Sequence, residues 1–173
     1  ISTNVTTVVD QLYRLTFAYA KNTDADEPLE MKVKVGTVTN LTVTASTEAA
    51  NDALDWKIKQ IEFTATETDT KIEFKSLEDD ENAVLLDTVR VEEVAPANLY
   101  AIFSELENLA RDPMKFNYAP YAQKEEQVLF SGFEDAPVGY AKLDDEIDGW
   151  TVTKEQVRVS QSQKAHSGNF YAT

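Results

Sequence analysis

Residues 128–173 have the sequence VLFSGFEDAPVGYAKLDDEIDGWTVTKEQVRVSQSQKAHSGNFYAT, and this stretch decides the fold. An apolar run at its start leads into the turn Gly132-Phe133-Glu134. The middle holds Gly149-Trp150-Thr151-Val152, and the end holds His166-Ser167-Gly168-Asn169. Alternating apolar and polar positions separated by Gly, Asp and Ser are typical of short β-strands. The pattern predicts strands at 128–130, 147–153, 157–160 and 169–173, with Trp150 in the core.

Residues 1–95 also alternate with a period of two. Tyr13, Leu15 and Phe17 are separated by Arg14 and Thr16, as in a strand with one buried face. Similar segments rich in Thr and Val recur up to residue 95, divided by stretches of Asn, Asp, Glu and Gly. We count about seven strands. Short strands at this spacing predict an all-β, antiparallel β-sandwich rather than a βαβ fold.

Two details of this alternation bear on register. Trp56 and Ile58 have one parity whereas Ile61 and Phe63 have the other, which predicts a β-bulge near Lys59 and Gln60. In the last strand before residue 95, alternate positions are occupied by Leu85, Asp87, Val89 and Val91. This spacing places the Asp87 carboxylate on an otherwise apolar face, where something positive is needed to meet it.

The composition changes between residues 96 and 127. Asn98 can cap a helix whose apolar residues recur at helical spacing up to Leu109, and Pro113 ends it. Such a helix either packs on the sandwich or docks on a neighbouring subunit. The chain therefore divides into a β segment at 1–95, a helix with an extended linker at 96–127, and a second β segment at 128–173.

Charge and composition exclude several classes of function. The 31 acidic and 16 basic residues give a net charge of −15, which repels nucleic acid and anionic membranes but suits calcium or cationic partners. The chain has no cysteine, so no disulfide can stabilise it. No apolar run approaches the ~20 residues that a membrane-spanning helix needs.

The motifs together resemble the galactose-binding-like β jelly rolls, which include many carbohydrate-binding modules and extracellular repeat domains. Gly132-Phe133-Glu134, Gly149-Trp150-Thr151-Val152 and His166-Ser167-Gly168-Asn169 resemble the opening strands of that fold. Three other segments of this chain resemble the later strands of that fold: residues 13–20, 56–66 and 86–91. The resemblance implies a jelly roll.

In that family the opening strands come first, whereas here they follow the later ones. The order is cyclically shifted. Either the chain is one period of a tandem array or polymer, whose last strands complete a neighbouring copy, or it folds on itself as a circular permutant. We favour the first, in which copies join head to tail and form a filament.

Calcium is the cofactor that the resemblance implies. Similar jelly rolls hold a structural ion near their first and last strands. The corresponding positions here are Glu134, Asp87 and the backbone carbonyls around Lys164 and His166. An alternative is that Asp87 pairs with an arginine such as Arg158, or faces solvent.

The sequence offers little for catalysis, because its one histidine is not part of any recognised catalytic motif. We therefore expect a non-enzymatic protein. Polysaccharide binding is the family's commonest activity and requires exposed aromatic rings. The candidates for sugar stacking are Trp56, Tyr19, Tyr140 and Tyr171.

The primary expectation is an extracellular or cell-surface structural or adhesive repeat that joins copies of itself, with calcium at the joint. The alternative is a self-contained carbohydrate-binding or cell-wall-binding module. Two sequons, Asn4-Val5-Thr6 and Asn40-Leu41-Thr42, are compatible with an extracellular address.

Overall fold

The computed structural model describes residues 1–22, 28–46, 54–78, 83–94, 126–135, 137–153, 156–161, 165–168 and 170–173. These ranges contain thirteen β-strands and no helix. The strands are β1 (Ser2–Thr6), β2 (Leu12–Ala20), β3 (Leu29–Val35), β4 (Thr39–Ala45), β5 (Lys57–Thr64), β6 (Asp69–Ser76), β7 (Leu85–Glu93), β8 (Glu126–Ser131), β9 (Gly139–Lys142), β10 (Glu146–Ile147), β11 (Trp150–Thr151), β12 (Gln156–Gln161) and β13 (Phe170–Ala172). The predicted all-β, antiparallel character is confirmed.

The strands form two antiparallel sheets. Sheet A has six strands in the order β10-β11-β1-β6-β3-β4. Sheet B has the order β5-β2-β7-β13-β12-β9, and β8 also pairs with β7. One apolar core draws on strands of both sheets; its Phe17 and Phe74 rings, one from each sheet, lie 5.0 Å apart. The fold is therefore a β-sandwich-like arrangement of two packed sheets.

Residues 126–173 (hereafter the tail) pair directly with residues 1–94 (the head). Ser2 of β1 lies opposite Thr151 of β11, and Leu86 of β7 lies opposite Ala172 of β13. Strand β8 pairs with β7 from Val89 to Glu93. We call the line of these pairings the seam. Head and tail thus contribute neighbouring strands to both sheets.

The tail also fills the centre of the core. Six of its apolar side chains are at most 3% exposed: Phe133, Ile147, Trp150, Val152, Val159 and Ala172. The Trp150 ring lies 5.6 Å from that of Phe74 in the head. The prediction that Trp150 is a core residue is confirmed, although β11 contributes only two residues to the sheet.

Two local predictions have different outcomes, and one strand was not predicted. The bulge predicted in β5 near Lys59 is wrong, because β5 pairs with β2 in continuous register. The irregularity lies instead on the other side of β2, where Thr88 and Val89 of β7 together lie opposite Phe17. Strand β9 was not predicted. The predicted helix after Asn98 falls outside the described residues.

The described part of the chain contains no helix with the length and hydropathy of a membrane span.

Candidate functional site

Asp87 lies where β7 changes partner. Its neighbour Leu86 pairs with β13, whereas from Val89 onward the strand pairs with β8. Thr88, between them, has a left-handed backbone with φ of 51°. This conformation is unusual for a β-branched residue, and it changes the parity of the strand. The prediction that Asp87 shares a face with Val89 and Val91 is wrong, because the bulge at Thr88 turns Asp87 to the opposite face.

Asp87 is fully buried on that outer face because the tail covers it. The Ser167 amide donates a hydrogen bond to Asp87 Oδ2 at 3.0 Å, and the Thr88 amide donates to Oδ1 at 2.5 Å. The Thr88 hydroxyl lies 2.8 Å from Ser167 Oγ and 3.0 Å from His166 Nδ1. Residues of the head and tail are thus joined by hydrogen bonds around one carboxylate.

Burial has an electrostatic consequence for Asp87. Desolvation raises the pKa of its carboxyl above the ordinary value of 3.8, and backbone amide hydrogen bonds from Ser167, Thr88 and His166 oppose the rise. The amides therefore compensate only part of the loss of water.

Glu134 approaches the same tail turn from the other side. Its Oε1 accepts a hydrogen bond from the Phe170 amide at 3.1 Å. Gly168 has φ of 59°, and a Cβ built on it would overlap the Glu134 carboxylate. Asp87, Thr88, Glu134, Ser167 and Gly168 will be called the seam cluster. Carboxylates of the head and of the tail thus accept backbone hydrogen bonds from Ser167 and Phe170. Calcium binding at Asp87 and Glu134 stays a prediction.

The seam cluster partly meets the requirements of a calcium ion. Both carboxylates offer hard oxygens, and calcium takes six to eight such ligands. In the described ranges, no three side chains of His, Asp or Glu come close enough to hold a metal. Backbone carbonyls would have to supply the remaining ligands. Lys164 lies outside the described residues, and the His166 side chain is exposed beside the site.

Arg158, the alternative partner of Asp87, makes a different contact. Its guanidinium carbon lies 5.5 Å from the centre of the Tyr140 ring, which is a cation–π geometry. Tyr140 is 59% exposed and lines a cleft of about 300 Å³ with Val138, Asp145, Glu146 and Ile147. Asp145 accepts a hydrogen bond from the Lys142 amide at 2.8 Å, which fixes one wall. An exposed aromatic ring can stack on a sugar, and carboxylates beside the ring can accept hydrogen bonds from the sugar hydroxyls.

The other predicted sugar ligands are placed less favourably. Trp56 is half-buried, and its ring meets that of His166 edge-on at 5.9 Å. Tyr19 packs against the core beside Phe17. The side chain of Tyr171 lies outside the described residues. Tyr140 is therefore the candidate with the most accessible ring among those described.

Sequence reasoning missed Thr88 and the hydrogen bond from the Ser167 amide to Asp87, and it offered Asp87 rather than Tyr140 as the partner of Arg158. A threonine in a strand rich in β-branched residues carries no signal for a left-handed backbone. Ser167-Gly168 was recognised as a motif, but its contact with Asp87 depends on the bulge. The Arg158–Tyr140 contact follows from the pairing of β12 with β9, a strand that the pattern did not predict.

The two packed sheets and the hydrogen bonds around Asp87 define a β-sandwich-like protein with a polar cluster at the seam. The sequence model of the family described as "Protein of unknown function (DUF642)" matches residues 1–92. The chain therefore belongs to the DUF642 family. Neither the curated proteins nor the solved structures gave a match.

Proposed function

We propose that this chain is a non-catalytic, extracellular structural or adhesive module, built as a jelly roll related to the galactose-binding-like domains. It assembles head to tail when the tail of one copy completes the head of the next. The observation that supports the proposal is that the head and the tail both contribute side chains to one apolar core. Asn4 and Asn40, the sequon asparagines, are both exposed, in keeping with an extracellular address.

The energetics of burial support this assignment. A fully buried apolar side chain of medium size stabilises the fold by about 1.5–3 kcal/mol. The buried residues of the tail, from Phe133 to Ala172, therefore contribute on the order of 10 kcal/mol. That amount is comparable to the whole stability of a typical domain. A head without a tail would expose the groove that Trp150 fills and would take up a tail from any available copy.

The connection between head and tail allows the exchange. Glu93 at the end of β7 lies opposite Glu126 at the start of β8, so the two ends of the connection meet. A chain as long as residues 94–125 can span on the order of 100 Å when extended, far more than this short distance. Linked segments typically have effective concentrations on the order of millimolar. Exchange between copies is therefore favoured where copies are crowded, as in a tandem array or matrix.

A disulfide can report which copy supplies the tail. The chain has no cysteine, so Glu93→Cys with Glu126→Cys introduces the one possible pair, at positions that face each other across β7 and β8. Facing positions in an antiparallel pair lie within disulfide range. After oxidation at rising protein concentration, we expect a ladder of covalent oligomers on a non-reducing gel. The single variants are the controls, and they should give dimers at most.

Cross-linked monomer alone, at all concentrations up to millimolar, would show that the tail completes its own head. Electron microscopy of the concentrated protein provides an independent measurement. Filaments support head-to-tail assembly, whereas discrete particles contradict it.

Carbohydrate binding is the second candidate function, and the Tyr140 cleft favours it. The Arg158 guanidinium fixes the ring that projects beside Asp145 and Glu146. A fixed aromatic ring loses little entropy when a pyranose stacks on it. The carboxylates can accept hydrogen bonds from sugar hydroxyls. This binding is independent of whether the tail acts within or between copies.

Affinity electrophoresis in gels containing a polysaccharide tests this function. We expect retarded migration of the wild-type chain and normal migration of Tyr140→Ala. Phe130→Ala is a matched control, because Phe130 is an aromatic residue 51% exposed on β8, away from the cleft lining. If Tyr140→Ala and the wild type are retarded equally, the polysaccharide binds at a site other than the Tyr140 cleft. If neither is retarded, the carbohydrate-binding function is wrong.

Calcium is a further part of the proposal. Asp87 and Glu134 would hold the ion with backbone carbonyls of the tail turn, and the ion would supply positive charge to two carboxylates at the seam. Because Asp87 belongs to the head and Glu134 to the tail, the ion would strengthen their association.

A further inference from the structure

The seam cluster joins the outer face of sheet B to a turn of the tail. Asp87 is fully buried there although it faces away from the core. Its carboxylate accepts a hydrogen bond from the backbone amide of Ser167, so the contact depends on the position of the turn rather than on a particular side chain. A buried carboxylate that loses such a donor loses part of the compensation for its desolvation.

Gly168 adds a steric requirement to the same turn. Its φ of 59° favours glycine, and an added Cβ would overlap the Glu134 carboxylate. Glu134 would then have to leave the Phe170 amide, to which it is hydrogen-bonded at 3.1 Å. Only a segment with glycine at this position therefore keeps both the turn and the Glu134 contact.

Thr88 makes the arrangement sensitive to register. Its left-handed backbone lets Asp87 and the Thr88 hydroxyl face the turn together. A shift of the tail by one residue would reverse the faces of β12 and β13 and would move the Ser167 amide away from Asp87. The core would then also lose Val159, which is 1% exposed.

We propose that Asp87 and Thr88 form a specificity site that accepts a Ser-Gly turn and thereby fixes the register of the tail that completes the head. The partner that fits is the tail of this chain or of a second copy, and the inference rests on the proposed completion of the head by a tail. Wrong registers and unrelated strands bury the Asp87 carboxylate without the Ser167 amide on Oδ2, which opposes their binding.

Hydrogen exchange of the full chain tests the inference. Asp87→Asn leaves one side-chain oxygen where the Ser167 and Thr88 amides each need an acceptor, so one of the two donors faces an NH2 group. We expect amide exchange in β12 and β13 to rise by roughly tenfold, as the loss of a buried charged hydrogen bond predicts, with little change in β3 and β4. Asp69→Asn is the control, because Asp69 is an exposed carboxylate that contacts Asn4 away from the seam. Equal exchange in both variants would overturn the proposal.

Gly168→Ala gives a second test that does not alter the buried carboxylate. Its matched control is Gly149→Ala, because Gly149 also has a positive φ, of 79°, but no atom lies within 4 Å of an added Cβ. We expect faster exchange in the tail for Gly168→Ala than for Gly149→Ala, and no such difference when Glu134 is also replaced by Ala. Equal behaviour of the two glycine variants in the presence of Glu134 would contradict the steric requirement.

The disulfide pair at positions 93 and 126 separates this inference from the proposed assembly. If the register is fixed as proposed, Asp87→Asn lowers the yield of cross-linked product, whether that product is a monomer or a ladder. An unchanged yield overturns the specificity site. A lower yield with monomer as the sole product supports the site and removes the assembly between copies. If Asp87→Asn does not fold, Thr88→Val removes the hydroxyl that contacts Ser167 and serves in the same measurement.

Discussion

At the scale of single residues, charge pairing controls the ionisation of Glu73 on sheet A. Its carboxylate lies 3.2 Å from the Lys34 amine and 3.4 Å from the Lys71 amine. Burial alone would raise the pKa of Glu73, but the hydrogen bonds and charges of Lys34 and Lys71 lower it overall from the ordinary 4.5. The ionised form is therefore the one that the folded state favours.

The lowered pKa predicts how stability depends on pH. Because the folded state holds the proton of Glu73 less tightly than the unfolded state, the stabilisation is present above pH 4.5 and is lost as the pH falls through the folded pKa. Glu73→Gln should lower the free energy of unfolding at pH 7 by about 0.5–1 kcal/mol, since the lysines are half exposed. Urea titrations between pH 7 and pH 3 should show this difference shrinking with acidity. A constant difference, or one that persists when Lys34 and Lys71 are both replaced by Met, would refute the pairing.

Side-chain alternation predicted which residues of regular strands face the core. Tyr13, Leu15 and Phe17 are all buried on one face, as expected. The same reasoning failed at Asp87, because the parity of β7 changes at Thr88. The left-handed backbone of Thr88 is accompanied by contacts to Ser167 and His166, almost 80 residues away in the chain. A pattern of neighbouring residues contains no information about such a contact.

At the scale of elements, the two-residue strand β11 has a large energetic role through Trp150. This side chain is fully buried and contacts Phe74, although its indole nitrogen has no hydrogen-bond partner in the described ranges. Trp150→Ala should lower the free energy of unfolding by about 3–5 kcal/mol, because a cavity replaces the largest core residue. Thermal denaturation followed by far-ultraviolet circular dichroism provides the measurement. Tyr140→Ala, at an exposed ring, is the control and should cost less than about 1 kcal/mol.

The shape of the same transition tests whether head and tail share a core. If they do, Trp150→Ala shifts one cooperative transition to lower temperature. Two separate transitions, of which the substitution moves only one, would mean that the segments fold independently.

Element boundaries were predictable where alternation is long and less so where strands are short. Strands β2, β3 and β7 have seven or more residues and were visible in the sequence. Strand β9 escaped prediction because Val138, Tyr140 and Leu143 are exposed apolar residues and give no alternation between core and solvent. The Tyr140 cleft therefore could not be assembled from the sequence, although Tyr140 itself was a candidate.

At the scale of the whole molecule, the shifted order of motifs predicted that the two β segments complement each other. The structure places strands of both segments side by side in both sheets. The sequence cannot determine which copy supplies the tail, because the same contacts form within a chain or between chains. Chain connectivity and concentration decide that choice, and neither is encoded in the contacts themselves.

Calcium would act on the whole molecule because Asp87 and Glu134 belong to different segments. An ion bound only by the folded state at one hundred times its dissociation constant adds about 2.7 kcal/mol to the free energy of unfolding. For a domain of this size we expect calcium to raise the melting temperature by roughly 5–10 °C over protein in EDTA. Magnesium should have a smaller effect, because it requires a tighter octahedral geometry. Asp87→Asn should abolish the calcium shift. If EDTA leaves the melting temperature of the wild type unchanged, then hydrogen bonds alone satisfy the two carboxylates, and the seam depends on the Ser167 and Phe170 amides.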